Sequence, residues 1–278
     1  MYKRFICLIF ILSFFFIVFT LKSKSTLTTV KYFPIDKHAS IEKAKTNLMI
    51  QPENREITWH VESTSVDPAY LRQDISLLYE NGKFKGVQSK WRQHIDQIQL
   101  SEQFKQINSG LIQTISFHHG EFHYSNDQIT SIQKMTAKQL YVTVDNSILH
   151  SFQRPRNIQE KKWQTKLNNF TNQQLKVHWK SLIKELNIPV DNYTSFPLTD
   201  LIRFEQENLP NQTVEETQKI IGQLWEGLYK NYVLLLKNQD NQQSFHYIPL
   251  ILIDKDNEHL LVIFELNGKA QKLIQKIS

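Results

Sequence analysis

The strongest local signal in the sequence is the stretch Ile75-Ser-Leu-Leu-Tyr-Glu-Asn81-Gly82-Lys-Phe-Lys-Gly-Val87. Two short segments flank an Asn-Gly pair in it. A two-residue hairpin turn requires a positive φ at both of its central residues, and Asn and Gly tolerate that conformation best. The stretch therefore predicts two antiparallel strands joined by a tight turn.

Alternation of apolar and polar residues continues on both sides of this hairpin. Residues 57–61 alternate strictly and predict a half-buried strand. Four further segments predict strands: 111–117, 121–124, 129–135 and 140–144. A turn is expected near His119-Gly120, whereas residues 91–107 fit neither a helix nor a strand clearly. Residues 55–156 are therefore predicted to form a β-rich subdomain of mostly antiparallel strands.

The pattern changes near Arg154-Pro155-Arg156, where we predict a subdomain boundary. Apolar residues in 160–186 recur at helical intervals, and Thr213-Val-Glu-Glu216 has the capping-box pattern that begins a second helix. Four strands are expected after it: 232–236, 245–253, 260–266 and 270–277. Residues 157–278 are thus predicted to be a helical plus β-meander subdomain, and the whole chain an α+β protein.

The predicted helix at Thr213 and the strands after it resemble, in topology alone, the cystatin-like and PepSY-like modules common outside bacterial cells. The resemblance covers residues 213–278 and rests on no motif. Because such folds host many functions, it implies no activity.

The N-terminus contains seventeen uncharged residues, Phe5 to Leu21, between Lys3-Arg4 and Lys22. As a helix they would span roughly 26 Å, slightly less than a hydrocarbon core of about 30 Å. We predict an uncleaved signal anchor, a transmembrane helix within residues 1–24, because the apolar run is long for a removable signal and lacks an A-x-A site. A cleaved, secreted form is the alternative. Residues 25–54 are predicted to be a stalk with a short helix beginning at Ser40.

Composition suggests where the protein acts. The only cysteine is Cys7, so the chain after the predicted anchor has no disulfide, which is unusual for a eukaryotic secreted domain. Frequent Lys, Ile, Asn, Gln and Phe are typical of an AT-rich bacterial genome. These features predict a Gram-positive, single-pass protein of the cell membrane whose C-terminal body lies outside the cytoplasm. The net charge is +6, but acidic residues are interspersed, so no nucleic-acid partner is expected.

Two segments have the composition of a metal site. His119, Glu121 and His123 would share one face of an uninterrupted strand, and imidazole and carboxylate are zinc ligands. Gly120 favours instead a break in the strand and an exposed hairpin. Asp254-Lys-Asp256-Asn-Glu258 imitates the oxygen spacing of a calcium loop, but His259 stands where that loop needs Gly. That segment is therefore interpreted as a polar hairpin turn.

Several catalytic motifs are missing from the sequence. It has seven glycines and neither a glycine-rich phosphate loop nor a G-x-S-x-G motif, and it has no cysteine after the predicted anchor. We predict no catalytic residues and no cofactor. The expected function is that of a non-enzymatic, membrane-tethered accessory or regulatory protein that binds a protein partner at the cell envelope. The alternatives are a metal-dependent or carboxylate hydrolase of cell-wall material and a lipid or wall-polymer binding module.

Overall fold

The computed structural model describes residues 30–145, 148–237 and 246–277, and most of it is antiparallel β-sheet. The strands are β1 Ile41–Gln51, β2 Glu56–Glu80, β3 Lys83–Lys105, β4 Gly110–His123, β5 Ile129–Asp145, β6 Ile148–Phe152, β7 Tyr193–Pro197, β8 Leu250–Asp254, β9 His259–Leu266 and β10 Lys269–Lys276. The α-helices are α1 Ile158–Glu185, α2 Val214–Leu228 and α3 Leu234–Lys237. A π-helical segment, Tyr229–Val233, joins α2 to α3, and 3₁₀ helices cover Val190–Asn192 and Leu198–Glu205.

The large sheet is built on the β2–β3 hairpin. Asn81 and Gly82 form its turn with φ values of 51° and 81°, which confirms the predicted hairpin. One edge of β2 pairs with β3 from Glu56 to Glu80, apart from a gap at the register shift. On its other edge, β2 pairs first with β1 and then with β4. Strands β5 and β6 follow outside β4.

The large sheet curls on itself because the β2–β3 ribbon bends. The register shifts between Thr64 and Ala69, and His94 on the facing strand has a φ of 53°. A bulge of this kind increases the bend and twist of a strand. The curl brings the first half of β2 over the second half and encloses one apolar cluster: Leu48, Ile57, Trp59, Val61, Leu78, Ile112, Leu140, Val142 and Leu149.

The outer face of the large sheet packs against α2 and the smaller sheet, whose order is β10-β9-β8-β7. Trp225 of α2 stacks on Phe117 of β4 with 5.0 Å between ring centroids. The opposite face of the smaller sheet contacts the end of α1 through Leu182 and Leu252. Helix α1 also contacts the large sheet through Leu167, so it packs against both sheets.

The prediction of an α+β protein is wrong. Strands make up 51% of the structure and helices 27%, and the dominant element is the curled antiparallel sheet. The predicted short helix after Ser40 is strand β1, and the ambiguous stretch 91–107 belongs mostly to β3. Strands β2 and β3 alone contain 25 and 23 residues, so the sheet outweighs the helices.

The predicted transmembrane helix and signal anchor are not supported. Within residues 30–145, 148–237 and 246–277, no helix is long and apolar enough to cross a membrane. The predicted span, Phe5 to Leu21, lies outside these described residues.

Several local predictions can be compared directly with the structure. Helix α1 and the capping box at Thr213 are confirmed, as is the turn between β8 and β9. Residues 232–236 were expected to be a strand but are helical, and β4 continues through the expected turn at His119-Gly120. A Cβ at Gly120 would lie 3.1 Å from side-chain atoms of Arg72 and of Ile132. Close packing, and not a turn, explains this glycine. The predicted boundary lies between β6 and α1, and division into subdomains stays a prediction.

Candidate functional site

A buried polar network lies at the inner side of the curl. At its centre is Asp74 of β2, whose side chain is fully buried. Its carboxylate accepts hydrogen bonds from Ser63 Oγ at 2.9 and 2.7 Å, and Oδ2 lies 2.8 Å from His118 Nδ1. The Arg72 guanidinium is 3.7 Å from Oδ1 and also donates to Ser63. Burial lowers the pKa of Arg72, and its Nε and Nη1 have no hydrogen-bond partner in the described structure.

The network continues through hydroxyl groups to β1. His118 Nε2 is 2.8 Å from Thr136 Oγ1, which is 2.6 Å from Thr46 Oγ1. Thr46 is also 2.7 Å from Ser116 Oγ. The order carboxylate, imidazole, hydroxyl is that of a hydrolytic triad, but a triad needs a hydroxyl free to reach substrate. Since the Thr136 hydroxyl is held between His118 and Thr46, the network is better suited to fixing β1 onto β4 and β5.

The residues of the predicted metal site lie along β4 without converging. His119 is buried on the outer face of the sheet, and neither ring nitrogen has a hydrogen-bond partner in the described structure. Burial, with Arg72 nearby, lowers the pKa of His119 to about 4. Glu121 and His123 lie closer together, with Oε2 3.5 Å from Nε2, and burial raises the pKa of Glu121.

The spacing along a strand explains this separation. At about 3.3 Å per residue, positions 119 and 123 are roughly 13 Å apart along β4, although they share a face. Among the described residues, the group whose possible ligand atoms all lie within 4.8 Å of one another is Asp254, Glu258 and His259. The structure thus brings Glu121 and His123 together but not His119, and metal binding by these three residues stays a prediction.

The outer edge of β3 is a second candidate for function. Its first residues are covered, because Phe84 N donates to His246 O at 2.7 Å and Lys83 bridges to Tyr247. From Lys85 to Lys105, β3 pairs with β2 alone among the described strands. Backbone donors and acceptors on the outer side of such a strand are available to another extended chain.

Aromatic and cationic side chains concentrate in the middle of this strand. We define the β3 patch by six residues of β3 and its neighbours: Tyr70, Lys90, Trp91, Arg92, His94 and His123. Tyr70 stacks on His123 with 3.8 Å between ring centroids and meets His94 edge-on at 5.3 Å. Trp91 remains 42% exposed and Tyr70 37%. Sequence reasoning missed the patch because 91–107 has no clear period; the cluster Lys90-Trp91-Arg92 was the available signal.

Comparison with known proteins gives no family for this chain. No protein family matches it, and no curated protein is significantly similar to it. Solved structures with weak similarity include the CARDB domain of a Pyrococcus furiosus protein in complex with di-metal ions, at 10% identity over 40% of this chain and 97% of that one, with a TM-score of 0.20. The sporulation control protein Spo0M of Bacillus subtilis matches at 10% identity over 86% of this chain and 90% of its own, with a TM-score of 0.19.

A third similar structure is a β-glucuronidase of Bacteroides uniformis, at 8% identity and a TM-score of 0.25. The match covers 70% of this chain and 27% of the glucuronidase, so this chain corresponds to about a quarter of that enzyme. Similarity at this level carries no argument about function, which must come from the residues themselves.

Proposed function

We propose that this protein is a non-enzymatic accessory protein that binds a partner protein, and that the binding surface is the outer edge of β3 with the β3 patch. The occupant is an extended, acidic segment of the partner, added to the large sheet as a further strand. The expected place of action, at the cell envelope outside the cytoplasm, belongs to the same proposal and can be tested by protease accessibility on intact cells.

The observation that carries the proposal is the length of β3 whose outer edge pairs with no strand of the described residues. This edge, Lys85–Lys105, is longer than either β1 or β4, the two strands that pair with the other edge of β2. Proteins usually shorten or cover such an edge, because it pairs readily with other chains. Addition of a strand from a partner satisfies its backbone groups and supplies affinity through main-chain hydrogen bonds.

Charge favours an acidic partner segment. Residues 83–95 contain four lysines or arginines and no carboxylate. Lys85 forms an ion pair with Glu80 at 2.9 Å, but no described carboxylate lies within ion-pair distance of Lys90 or Arg92. Lys90 Nζ donates to the backbone oxygen of Gln99, and Arg92 Nη1 donates to that of Trp91. A carboxylate on an added strand could therefore form an ion pair with Lys90 or with Arg92.

The aromatic members of the patch favour a protein partner. Trp, Tyr and Arg are the residues that most often dominate binding energy at protein interfaces. Trp91 and Arg92 are neighbours in β3, Tyr70 contacts His94 of the same strand, and both Trp91 and Tyr70 are substantially exposed. An exposed Trp flanked by two cations can pack against an apolar side chain of the segment while the cations contact its acidic neighbours.

A model peptide tests this function directly. The probe is a fluorescein-labelled peptide of alternating Glu and Val, which is extended and acidic, and binding to the full chain is followed by fluorescence anisotropy. A peptide of alternating Lys and Val tests charge, and one with Pro at alternate positions tests strand addition, since Pro cannot donate to a ladder. We expect saturable binding of the acidic peptide alone.

Charge reversal in the protein identifies the surface. Exposed ion pairs contribute about 0.2–1 kcal/mol each, so replacing both Lys90→Glu and Arg92→Glu should weaken binding roughly 2- to 30-fold. The matched control is Lys272→Glu with Lys276→Glu on β10, which is also an exposed edge strand. Equal binding by both double variants, or equal binding of the proline peptide, would contradict the proposal. Binding of a single-stranded oligonucleotide in preference to the acidic peptide would show a different class of partner.

A further inference from the structure

The turn between β8 and β9 gathers three side chains that can bind a metal. Asp254 ends β8, and Glu258 and His259 lie at the start of β9. One ligand atom from each of these residues lies within 4.8 Å of the other two. Asn257 has a φ of 59°, and its N–H donates to Asp254 O at 3.0 Å, which closes the turn and holds the three side chains on a short loop.

The electrostatics of this turn favour a bound cation. Asp254 is nine-tenths buried, and its Oδ2 accepts a long hydrogen bond from Glu258 N at 3.4 Å. No described lysine or arginine forms an ion pair with Asp254 or Glu258. The adjacent Lys255 points elsewhere, with Nζ donating to Asp191 O at 2.6 Å. Two carboxylates held close together without a cation repel each other, and a divalent ion between them would remove that repulsion.

A residue outside the turn orients the imidazole. His259 Nε2 lies 2.9 Å from the hydroxyl of Tyr193 on β7, and the two rings meet edge-on with 5.6 Å between centroids. A metal-binding histidine is usually held in this way by a hydrogen bond to one ring nitrogen, which fixes the ring and leaves the other nitrogen for the ion. Tyr193 and Asp254 are cross-strand partners in the β7–β8 ladder, so the sheet itself sets their separation.

We propose that Asp254, Glu258 and His259 bind one divalent first-row transition ion of the zinc class, with water completing its coordination. Imidazole is a preferred ligand of zinc, copper, iron and nickel, whereas calcium takes six to eight oxygens. Three protein ligands and an open position are typical of zinc sites that retain a water. His259 replaces the glycine of a calcium loop, and in this arrangement it supplies the nitrogen ligand instead.

The experiment uses the purified full chain after treatment with EDTA, titrated calorimetrically with ZnCl₂ and separately with CaCl₂. We expect one zinc ion per chain and no saturable calcium binding. Co²⁺ added in place of Zn²⁺ should give visible d–d absorption. The variants Glu258→Gln, at an exposed position, and His259→Gln should each weaken zinc binding at least tenfold. Tyr193→Phe, which removes only the outer contact, should weaken it about 10-fold.

The matched control is His60→Gln, because His60 Nε2 lies 3.7 Å from Glu62 Oε2 without a third ligand. Zinc binding should be unchanged in this variant. The proposal is overturned if the chain shows no saturable zinc binding, or if Glu258→Gln and His259→Gln leave the affinity as it was. It is also overturned if His123→Gln, and not His259→Gln, abolishes binding, because the ion would then occupy the site predicted on β4.

Discussion

Replacing Asp74 with Asn should destabilise the protein strongly, because Asp74 supplies the only carboxylate within ion-pair distance of the buried Arg72 in the described structure. Asn has nearly the same shape, so the packing remains and only the charge is lost. The side chains of Arg72 and Asp74 are both fully buried, and their closest charged atoms are 3.7 Å apart. Removing one partner of a buried ion pair leaves an uncompensated charge and typically costs about 3–5 kcal/mol.

The local contacts keep the effect within that range. Nε and Nη1 of Arg72 already have no hydrogen-bond partner in the described structure, and the carboxylate of Asp96 stabilises the Arg72 charge only from beyond ion-pair distance. The amide would also place an N–H group near Ser63 or His118, both of which now contact a carboxylate oxygen. With a urea m-value of about 2.5 kcal/mol per M, the midpoint should fall by about 1–2 M.

Urea unfolding at neutral pH, followed by circular dichroism, measures this change. The control is Glu62→Gln, which removes a carboxylate from the pair with the exposed Lys43 at 2.8 Å and should cost about 1 kcal/mol or less. The double variant Arg72→Met/Asp74→Asn removes both charges and should recover about 2 kcal/mol relative to the sum of the single variants. If Asp74→Asn costs no more than Glu62→Gln, the guanidinium is hydrated and the reasoning is refuted.

Three other perturbations test separate parts of the fold. Burial lowers the pKa of His119 from 6.5 to about 4, so the unfolded state binds a proton at a higher pH than the folded state does. Up to about 3 kcal/mol of stability should therefore be lost as the pH falls from 6.5 to 4. The variant His119→Gln should flatten this part of a curve of stability against pH. Thr213→Ala removes the capping box of α2 and should cost about 1 kcal/mol, a fall of about 2–4 °C in Tm by calorimetry. Gly222→Ala should destabilise the protein by about 1–3 kcal/mol in urea unfolding, because its Cβ would lie 2.6 Å from the Tyr32 ring. Gly227→Ala in the same helix, whose Cβ would have no atom within 4 Å, should instead stabilise the protein by up to about 1 kcal/mol.

The turns and helix starts could be predicted from the sequence because each depends on residues that are close together in the chain. The Asn81-Gly82 turn depends on two residues that accept a positive φ, and the start of α2 depends on a hydroxyl and a carboxylate three residues apart. The curl of the sheet depends on a register shift between Thr64 and Ala69, deep inside a strand. Pro68 lies in this gap of the ladder, and Pro is tolerated at bulges because its missing N–H is not needed there.

Tertiary packing decided the segments that were predicted wrongly. Residues 232–236 form a short apolar run, and such a run does not distinguish a buried strand from a buried helix. Here the chain continues from α2, and Tyr232 is fully buried within 3.4 Å of the Tyr79 hydroxyl. His119 and His123 of the predicted metal site are not close together, because sharing a face of a strand does not imply closeness. The turn after Asp254 is short enough to bring the possible metal-binding atoms of Asp254, Glu258 and His259 within 4.8 Å of one another.

The position of the buried network supports the proposed binding at β3, whose outer edge from Lys85 onward pairs with no strand of the described residues. In the ladder Lys90 lies opposite Asp74, Trp91 opposite Gln73, and Arg92 opposite Arg72. Hydrogen bonds around Asp74 restrict the motion of β2 at these positions, and the backbone hydrogen bonds between β2 and β3 restrict the motion of β3 in turn. A surface that is already ordered loses less conformational entropy when a partner binds. The unpaired edge therefore has a rigid strand behind it at the residues of the β3 patch. Charge reversal at Lys90 and Arg92 should affect binding alone, whereas loss of Asp74 should affect stability and the order of the patch together.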